Sequence, residues 1–165
     1  MDTAERAALI ERYLSGPAAV FAALEGAGNE EPDRSTSDGW TARQIVHHLA
    51  DSETNSYIRI RQLLAEESPT ITGYDEELWA AQLHYERPID ASLAVFAAVR
   101  NSSAELLACV RDEDWARAGT HTQSGPYTLE DWLRIYAAHA HDHADQIRRS
   151  RSEPAGPPIT PRGSR

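Results

Sequence analysis

Several absences limit what this chain does. Lysine does not occur, because all 16 basic residues are arginine, and this excludes chemistry through a lysine Schiff base or a lysine general base. Cys109 is the single cysteine, so an internal disulfide is excluded. No apolar run approaches the roughly 18 residues that a membrane-spanning helix needs. The first residues lack a basic segment followed by an apolar one, and we therefore expect no signal peptide and a cytoplasmic protein.

Positive charge is also scarce. The 165 residues include 26 acidic and 16 basic side chains, which gives a formal net charge of -10. A chain this acidic has no electrostatic basis for binding DNA or anionic lipid, so we expect a small-molecule substrate and neither nucleic acid nor membrane as partner. The length predicts one domain, at residues 1–151, followed by a flexible tail rich in Pro, Gly and Arg at residues 152–165.

Hydrophobic periodicity predicts four helices and no strand. Apolar residues recur at helical spacing in four segments, and no segment alternates as a half-buried strand does. The first three predicted helices cover about residues 3–25, 41–67 and 90–110, and the fourth runs from residue 128 to the tail. Gly16–Pro17 is expected to kink or split the first helix. Residues 26–39 are predicted to be a loop, and the long second-to-third connection, residues 69–88, is expected to hold a short helix at 74–79.

This pattern predicts an all-α fold, a four-helix bundle, in which the long second connection leaves strict up-down-up-down topology open. Two of the helices have clear start signals. Thr41 and Gln44 fit a capping box at the start of the second helix, and Thr128 and Asp131 fit one at the start of the fourth. These starts fix which residues of each helix share a face.

The histidines are the informative polar residues. His139, His141 and His143 alternate in the fourth predicted helix, where residues i and i+4 share a face and residue i+2 points away. His139 and His143 are therefore predicted to face the core, and His141 to face away from it. In the second helix His48 falls on the inward stripe and His47 on its flank. Three inward imidazoles from two helices form a donor set for one metal ion.

Two other interpretations compete with a metal site. A single inward histidine such as His48 is more often a hydrogen-bonded core residue than a ligand, so spacing alone leaves the question open. The dipeptide His141–Asp142 occurs in the helical HD phosphohydrolases, which also need a distant later aspartate. Only Asp145 follows here before the tail. The phosphohydrolase interpretation is therefore excluded, because the distant aspartate ligand is missing.

Two stretches resemble a known family. Residues 39–52 (GWTARQIVHHLADS) and residues 135–143 (IYAAHAHDH) resemble the second-helix and fourth-helix signatures of the DinB/YfiT-like superfamily. Residues 55–59 and parts of 69–79 are similar to its YfiT branch. The resemblance implies a metal-binding four-helix bundle, often dimeric, whose three ligands correspond to His48, His139 and His143.

The resemblance also implies a chemistry. The superfamily includes thiol S-transferases that use bacillithiol, mycothiol or glutathione, and other members are described only as metal-dependent hydrolases. We therefore expect one divalent transition metal per chain, zinc or nickel, and a low-molecular-weight thiol that is conjugated to an electrophile. Hydrolysis by a water molecule that the metal activates is the alternative reaction. A non-enzymatic homodimer in which the metal only joins helices is the alternative class of protein.

Five more residues are candidates for the surroundings of the metal. Asp51 and Asn55 follow His48 by about one and two helical turns, and the alternative for Asp51 is a solvated helix residue. Arg59 suits a carboxylate of the thiol cosubstrate, with a surface ion pair as its alternative. Tyr74 and Trp79 are expected at the mouth of the pocket, or else as cover for the core.

Two aspartates depart from the pattern of the family. Asp142 and Asp145 lie beside the second ligand pair in the sequence. They are expected to leave the ligands themselves unchanged and to alter, at most, the hydrogen bonds behind them.

Overall fold

Helices make up most of the part of the chain that the structure describes. The structure is a computed structural model that describes residues 1–27 and 39–152. Its helices are α1 (Thr3–Ala23), α2 (Ala42–Ala65), α3 (Glu76–Gln82), α4 (Asp90–Leu107) and α5 (Leu129–Ser152), and a 3-10 helix covers Asp112–Ala116. Its strands are β1 (Thr70–Ile71), β2 (Ala118–His121) and β3 (Gly125–Thr128). Within residues 1–27 and 39–152, no helix is long and apolar enough to cross a membrane.

The four long helices α1, α2, α4 and α5 form the predicted four-helix bundle. Helix α5 packs against α1 and α2, and α4 packs against α2 and α1. Helices that follow one another in the chain, α1 with α2 and α4 with α5, therefore lie across the diagonals of the bundle. This order places α2 directly beside α5, the two helices that carry the candidate ligands.

Both predicted capping boxes are present. At the start of α2, Thr41 Oγ1 accepts from the backbone N–H of Gln44 at 3.2 Å, and Gln44 Oε1 accepts from the backbone N–H of Thr41 at 2.9 Å. At the start of α5, Thr128 Oγ1 accepts from the N–H of Asp131 and Asp131 Oδ2 accepts from the N–H of Thr128, both at 3.0 Å. Each box satisfies backbone donors that a helix start leaves without partners.

The expected split of the first helix is wrong, because α1 runs from Thr3 to Ala23 with Pro17 inside it. Neighbouring helices come very close at Gly16. A Cβ atom there would lie 2.7 Å from Arg100 Nη2 and 2.8 Å from Ala140 Cβ. Glycine is required at this position by the close approach of α1 to α4 and α5.

Several predicted boundaries shift by a few residues. Helix α2 ends at Ala65 and α4 at Leu107, and the short helix in the connection covers Glu76–Gln82. The loop predicted at residues 26–39 lies largely outside the described residues, as do residues 153–165 of the predicted tail.

The expectation of no strands is wrong. Strand β1 pairs in parallel with β2, and β2 pairs antiparallel with β3. The sheet joins the α2–α4 connection to the α4–α5 connection, and two backbone bonds of 2.9 Å, from Thr120 N to Pro69 O and from Thr122 N to Ile71 O, support this junction. Strands of two to four residues are too short to show an alternating pattern, and their pairing depends on contacts distant in the chain.

The core consists of two clusters of buried apolar side chains. One surrounds Trp132 and Leu133, and the other surrounds Ile45 and Leu49. Arg100 lies against both, with its Cζ atom 3.9 Å from the ring centroid of Tyr13 in the first cluster and 5.8 Å from that of Phe96 in the second. A buried charge thus lies at the junction of the two clusters.

Candidate metal centre

Three histidines from α2 and α5 come together inside the bundle. One ligand nitrogen from each of His48, His139 and His143 lies within 4.8 Å of the other two. The Nε2 atoms of His48 and His139 are 3.3 Å apart. Ring centroids are separated by 4.6 Å for His139 and His143 and by 4.8 Å for His48 and His143. These are the three residues that helical spacing placed on inward faces.

Burial keeps two of these imidazoles neutral. Desolvation, reinforced by the neighbouring imidazoles, lowers the pKa of His48 from 6.5 to about 3. Desolvation and the proximity of His139 lower the pKa of His143 to about 4. Neutral imidazole is the form that binds a metal ion, so no proton competes with a metal at these two residues near pH 7.

A buried carboxylate orients His139. His139 Nδ1 donates to Glu53 Oε1 at 3.4 Å, and the same oxygen accepts a hydrogen bond of 2.6 Å from Arg100 Nη1. Glu53 and Arg100 are each only 1% exposed. Arg100 also donates to the backbone oxygen of Tyr13 at 2.5 Å. A carboxylate behind a histidine fixes the ring and makes its other nitrogen a better ligand.

His143 is oriented from its own helix. Its Nδ1 atom donates to Gln146 Oε1 at 2.8 Å, which leaves the lone pair on Nε2. Each of the two α5 histidines therefore has a partner at Nδ1, and Nε2 is the nitrogen left to bind a metal.

The donor set suits a tetrahedral transition metal. Metal–nitrogen distances of about 2.0–2.1 Å at tetrahedral angles put two ligand nitrogens about 3.3–3.4 Å apart, close to the 3.3 Å between the Nε2 atoms of His48 and His139. Imidazole nitrogens accept zinc, nickel, copper and iron. The residues present therefore fit a divalent transition metal, and they do not select one.

A cavity of about 240 Å³ reaches this centre at His139. Its walls come from α2, α5, the short helix α3 and the loops around the small sheet. Most of its side chains are polar, and the lining residues are Ser52, Arg59, Tyr74, Glu76, His121, Gln123, Ser124, Tyr127, Ile135, Tyr136 and His139.

The five other candidates from the sequence divide into two groups. Arg59 and Tyr74 line the cavity, and Trp79 packs against Tyr74 with ring centroids 4.4 Å apart. Trp79 is itself not among the lining residues, and neither are Asp51 and Asn55. Asp51 Oδ2 accepts from the hydroxyl of Tyr85 at 2.6 Å, and Asn55 Nδ2 donates to the backbone oxygen of Asp51 at 2.8 Å.

Other histidines and aspartates near the ligands in sequence have separate contacts. His47 bonds the Ser92 hydroxyl at 2.8 Å and the backbone oxygen of Arg87 at 2.9 Å. His141 faces away from the three ligands and donates to the backbone oxygen of Arg12 at 2.9 Å.

The two aspartates that depart from the family pattern face the surface. Asp142 pairs with Arg12 at 3.7 Å and Asp145 with Arg148 at 2.6 Å, with both carboxylates largely exposed. Their ion pairs are therefore formed with surface arginines and not with the three ligands.

Sequence reasoning missed Glu53, Arg100 and Gln146, and it assigned nothing to His121, which lines the cavity. The sequence does contain a signal for Glu53 and Arg100. Glu53 follows Leu49 by four residues and Arg100 follows Phe96 by four, so each charge lies on the inward stripe of its helix. Opposite charges on two inward stripes indicate a buried ion pair, because an isolated buried charge is costly.

Known proteins are similar to this chain in sequence and in fold. A protein from Oceanobacillus iheyensis named "Putative metal-dependent hydrolase" is 40% identical over 120 residues, which cover 72% of this chain and 70% of that protein. A Bacillus cereus protein of the same name is 38% identical over 109 residues, 66% of this chain. This second match covers 63% of the relative, just under two thirds of its length.

A solved structure is also similar. YfiT from Bacillus subtilis, described as "a probable metal-dependent hydrolase with an unusual four-helix bundle topology", matches with a TM-score of 0.82 and 33% identity. The match covers 89% of this chain and 86% of the YfiT chain. The sequence pattern of the DinB superfamily matches residues 13–147. The resemblance carried by residues 39–52 and 135–143 is thereby confirmed, and this chain belongs to the DinB superfamily.

Proposed function

We propose that this protein is a metal-dependent enzyme in which His48, His139 and His143 hold one divalent transition metal, zinc or nickel. One observation carries the proposal: the three imidazoles converge, and a cavity large enough for a small molecule reaches one of them. The names of the Oceanobacillus and Bacillus relatives, which refer to metal-dependent hydrolysis, support a metal-dependent activity.

The ligand count favours an enzyme over a metal that only joins helices. Structural zinc sites are usually closed by a fourth protein ligand, whereas catalytic sites keep a position for water or substrate. Among the described residues, the potential metal-binding group consists of three histidines and no fourth member. The cavity at His139 gives a small molecule a route to that position.

Thiol transfer is the reaction that we propose for this centre. A bound divalent metal lowers the pKa of a thiol or a water molecule that binds to it. The thiol then loses its proton to solvent, its sulfur forms the new bond to the electrophilic carbon, and the leaving group departs with its electron pair. Glu53 and Gln146 hold the two α5 imidazoles in position throughout.

The cavity wall supports thiol transfer over hydrolysis. A general base for water is commonly a carboxylate or histidine within hydrogen-bond reach. The one carboxylate among the lining residues, Glu76, is exposed, and the buried Glu53 is already bonded to Arg100 and His139. The lining histidine His121 already accepts two backbone N–H groups at Nδ1, which leaves the proton on Nε2. Hydrolysis, which the names of the relatives favour, is the competing outcome of the assay.

Metal content tests the site. The 165-residue chain, supplied with zinc or nickel, is purified and analysed by elemental mass spectrometry beside His143→Ala and His141→Ala. His141 is the matched control because it lies on the same helix and faces away from the ligands. We expect about one metal per chain in the native protein and in the control, and loss of it in His143→Ala. A native protein without metal, or a His143→Ala variant that keeps it, would refute the site.

Two parallel assays test the reaction. The metal-loaded protein is incubated with an activated aryl halide and a low-molecular-weight thiol, and separately with activated esters in the absence of thiol. We expect thioether formation that depends on His143 and is unaffected by His141→Ala. Ester hydrolysis with the same dependence, and no thioether, would replace thiol transfer with the hydrolase alternative.

A further inference from the structure

An unpaired cation lies in the cavity. The guanidinium of Arg59 donates from Nη1 to the hydroxyl of Tyr136 at 2.9 Å and from Nη2 to the backbone oxygen of Thr72 at 3.0 Å. Both acceptors are neutral. Among the described residues no carboxylate lies within ion-pair distance of Arg59, although the chain has ten more acidic than basic side chains.

The same wall has polar atoms without partners. Arg59 Nε and the hydroxyls of Tyr74 and Tyr127 are buried and have no hydrogen-bond partner among the residues that the structure describes. Tyr127 is only 4% exposed. Buried polar groups in proteins are nearly always bonded. Three such groups in the wall of one cavity indicate that a polar ligand completes it.

The remaining lining residues next to the sheet supply neutral hydrogen-bonding groups. His121 Nδ1 accepts from the backbone N–H groups of Gln123 at 3.3 Å and Ser124 at 3.4 Å, so the ring proton is on Nε2, which is a donor. The side chains of Gln123 and Ser124 also line the cavity. Glu76 is the one carboxylate in the cavity lining, and it is exposed and outside ion-pair distance of Arg59. Apart from Glu76, the groups around Arg59 are neutral, so its charge attracts an anion.

Tyr136 connects this cation to the metal centre. It accepts from Arg59, and its ring centroid is 5.8 Å from that of His139. Only one side chain therefore separates the guanidinium from a candidate metal ligand.

We propose that Arg59 binds a carboxylate group of the small molecule that reacts at the three-histidine centre. The planar fork of a guanidinium matches the two oxygens of a carboxylate. A single arginine without a second cation balances one negative charge, which suits a carboxylate better than a phosphate dianion. The role in the reaction rests on the proposed function, whereas binding of the carboxylate requires only the cavity.

Nuclear magnetic resonance of the metal-free 165-residue chain tests this proposal. Acetate is the probe, acetamide is its uncharged counterpart, and inorganic phosphate is the competing anion. The backbone amides of Gln123 and Ser124 report binding because they contact His121 in the cavity wall. We expect saturable shifts of these amides with acetate and at least tenfold weaker binding of acetamide and phosphate.

Variants assign the effect to one side chain. Arg59→Gln removes the charge and is expected to weaken acetate binding at least tenfold, and Arg59→Lys, which keeps the charge without the fork, is expected to weaken it less. Arg61→Gln is the matched control, because Arg61 lies on the same helix but stacks on Tyr57 and donates to Ser102 outside the cavity lining. The control is expected to bind acetate as the native protein does.

Several results would overturn the proposal. Equal binding of acetate and acetamide, equal binding by Arg59→Gln and the native protein, or tighter binding of phosphate would each do so. Dispersion of the amide spectrum shows whether Arg59→Gln is folded. If it is not, acetate binding by Arg59→Lys is the test, and binding equal to that of the native protein would overturn the proposal. Since no metal is present, failure here leaves the metal analysis untouched, and a protein that binds acetate but no metal would refute only the proposed function.

Discussion

At the scale of single residues, the buried carboxylate of Glu53 connects the metal centre to the core. One of its oxygens accepts from both Arg100 and His139. Arg100 in turn contacts the ring of Tyr13 and the backbone of that residue. Stability and ligand orientation therefore depend on the same charge, and its removal has two separable effects.

Glu53→Gln tests both effects. It leaves the charge of Arg100 buried without a counter-ion, which we expect to lower the free energy of unfolding by about 3 kcal/mol. It also weakens the hydrogen bond that orients His139, and we expect metal affinity to fall about 10-fold to 100-fold. Urea denaturation measures the first quantity and chelator competition the second. Glu105→Gln, on the exposed face of α4, is the control, and a Glu53→Gln variant indistinguishable from it would contradict this account.

At the scale of helices and strands, the close approach of α1 to α4 and α5 places Arg100 where it reaches Glu53. Gly16 permits that approach, since a Cβ atom would lie 2.7 Å from Arg100 Nη2. The guanidinium has little freedom to move away, because it is bonded to Glu53 and to the backbone of Tyr13. The packing of one helix thus sets the position of a side chain behind the metal centre.

Gly16→Ala is therefore expected to destabilise the protein, although alanine favours a helix by about 1 kcal/mol. Overpacking of a rigid contact costs about 1–3 kcal/mol, so we expect a net loss of up to about 2 kcal/mol in urea denaturation. Glu11→Ala, at an exposed position of the same helix, is expected to change stability by no more than about 0.5 kcal/mol. A Gly16→Ala variant more stable than the native protein would show that the contact relaxes freely.

Elements with a local signal could be predicted from the sequence, and those formed by distant contacts could not. The capping boxes of Thr41 and Thr128 fixed two helix starts, and helical spacing from those starts brought His48 to the same side of its helix as the core. The sheet escaped prediction because β1 and β2 are separated by some 50 residues. His121 and Tyr127 lie on strands of that sheet and line the cavity. This part of the cavity wall could therefore not be predicted either.

At the scale of the whole molecule, the order of helices in the bundle determines what the metal joins. Helices α2 and α5 are adjacent in space but are separated in the chain by α3, α4 and the sheet. A metal held by His48 from one helix and by His139 and His143 from the other links these distant segments. Its binding energy should therefore contribute to the stability of the entire fold.

Removal of the metal tests this contribution. A ligand present at a thousandfold its Kd stabilises the native state by about 4 kcal/mol, which corresponds to a shift in Tm of about 10 °C for a chain of this size. We expect a strong chelator to lower the Tm of the zinc-loaded native protein by roughly that amount, as measured by calorimetry. The Tm of His143→Ala is expected not to change when the chelator is added. An equal shift in this variant would show that the chelator acts at a site other than the three histidines.

The coordination shell of the bound metal shows most directly whether three histidines hold the ion and leave one position open. X-ray absorption spectroscopy of the zinc-loaded protein should detect three imidazole nitrogens at about 2.0–2.1 Å and one oxygen ligand. Addition of a low-molecular-weight thiol should replace that oxygen by sulfur at about 2.3 Å. A shell with fewer than three imidazoles, or one closed by a fourth protein ligand that thiol does not displace, would contradict the account.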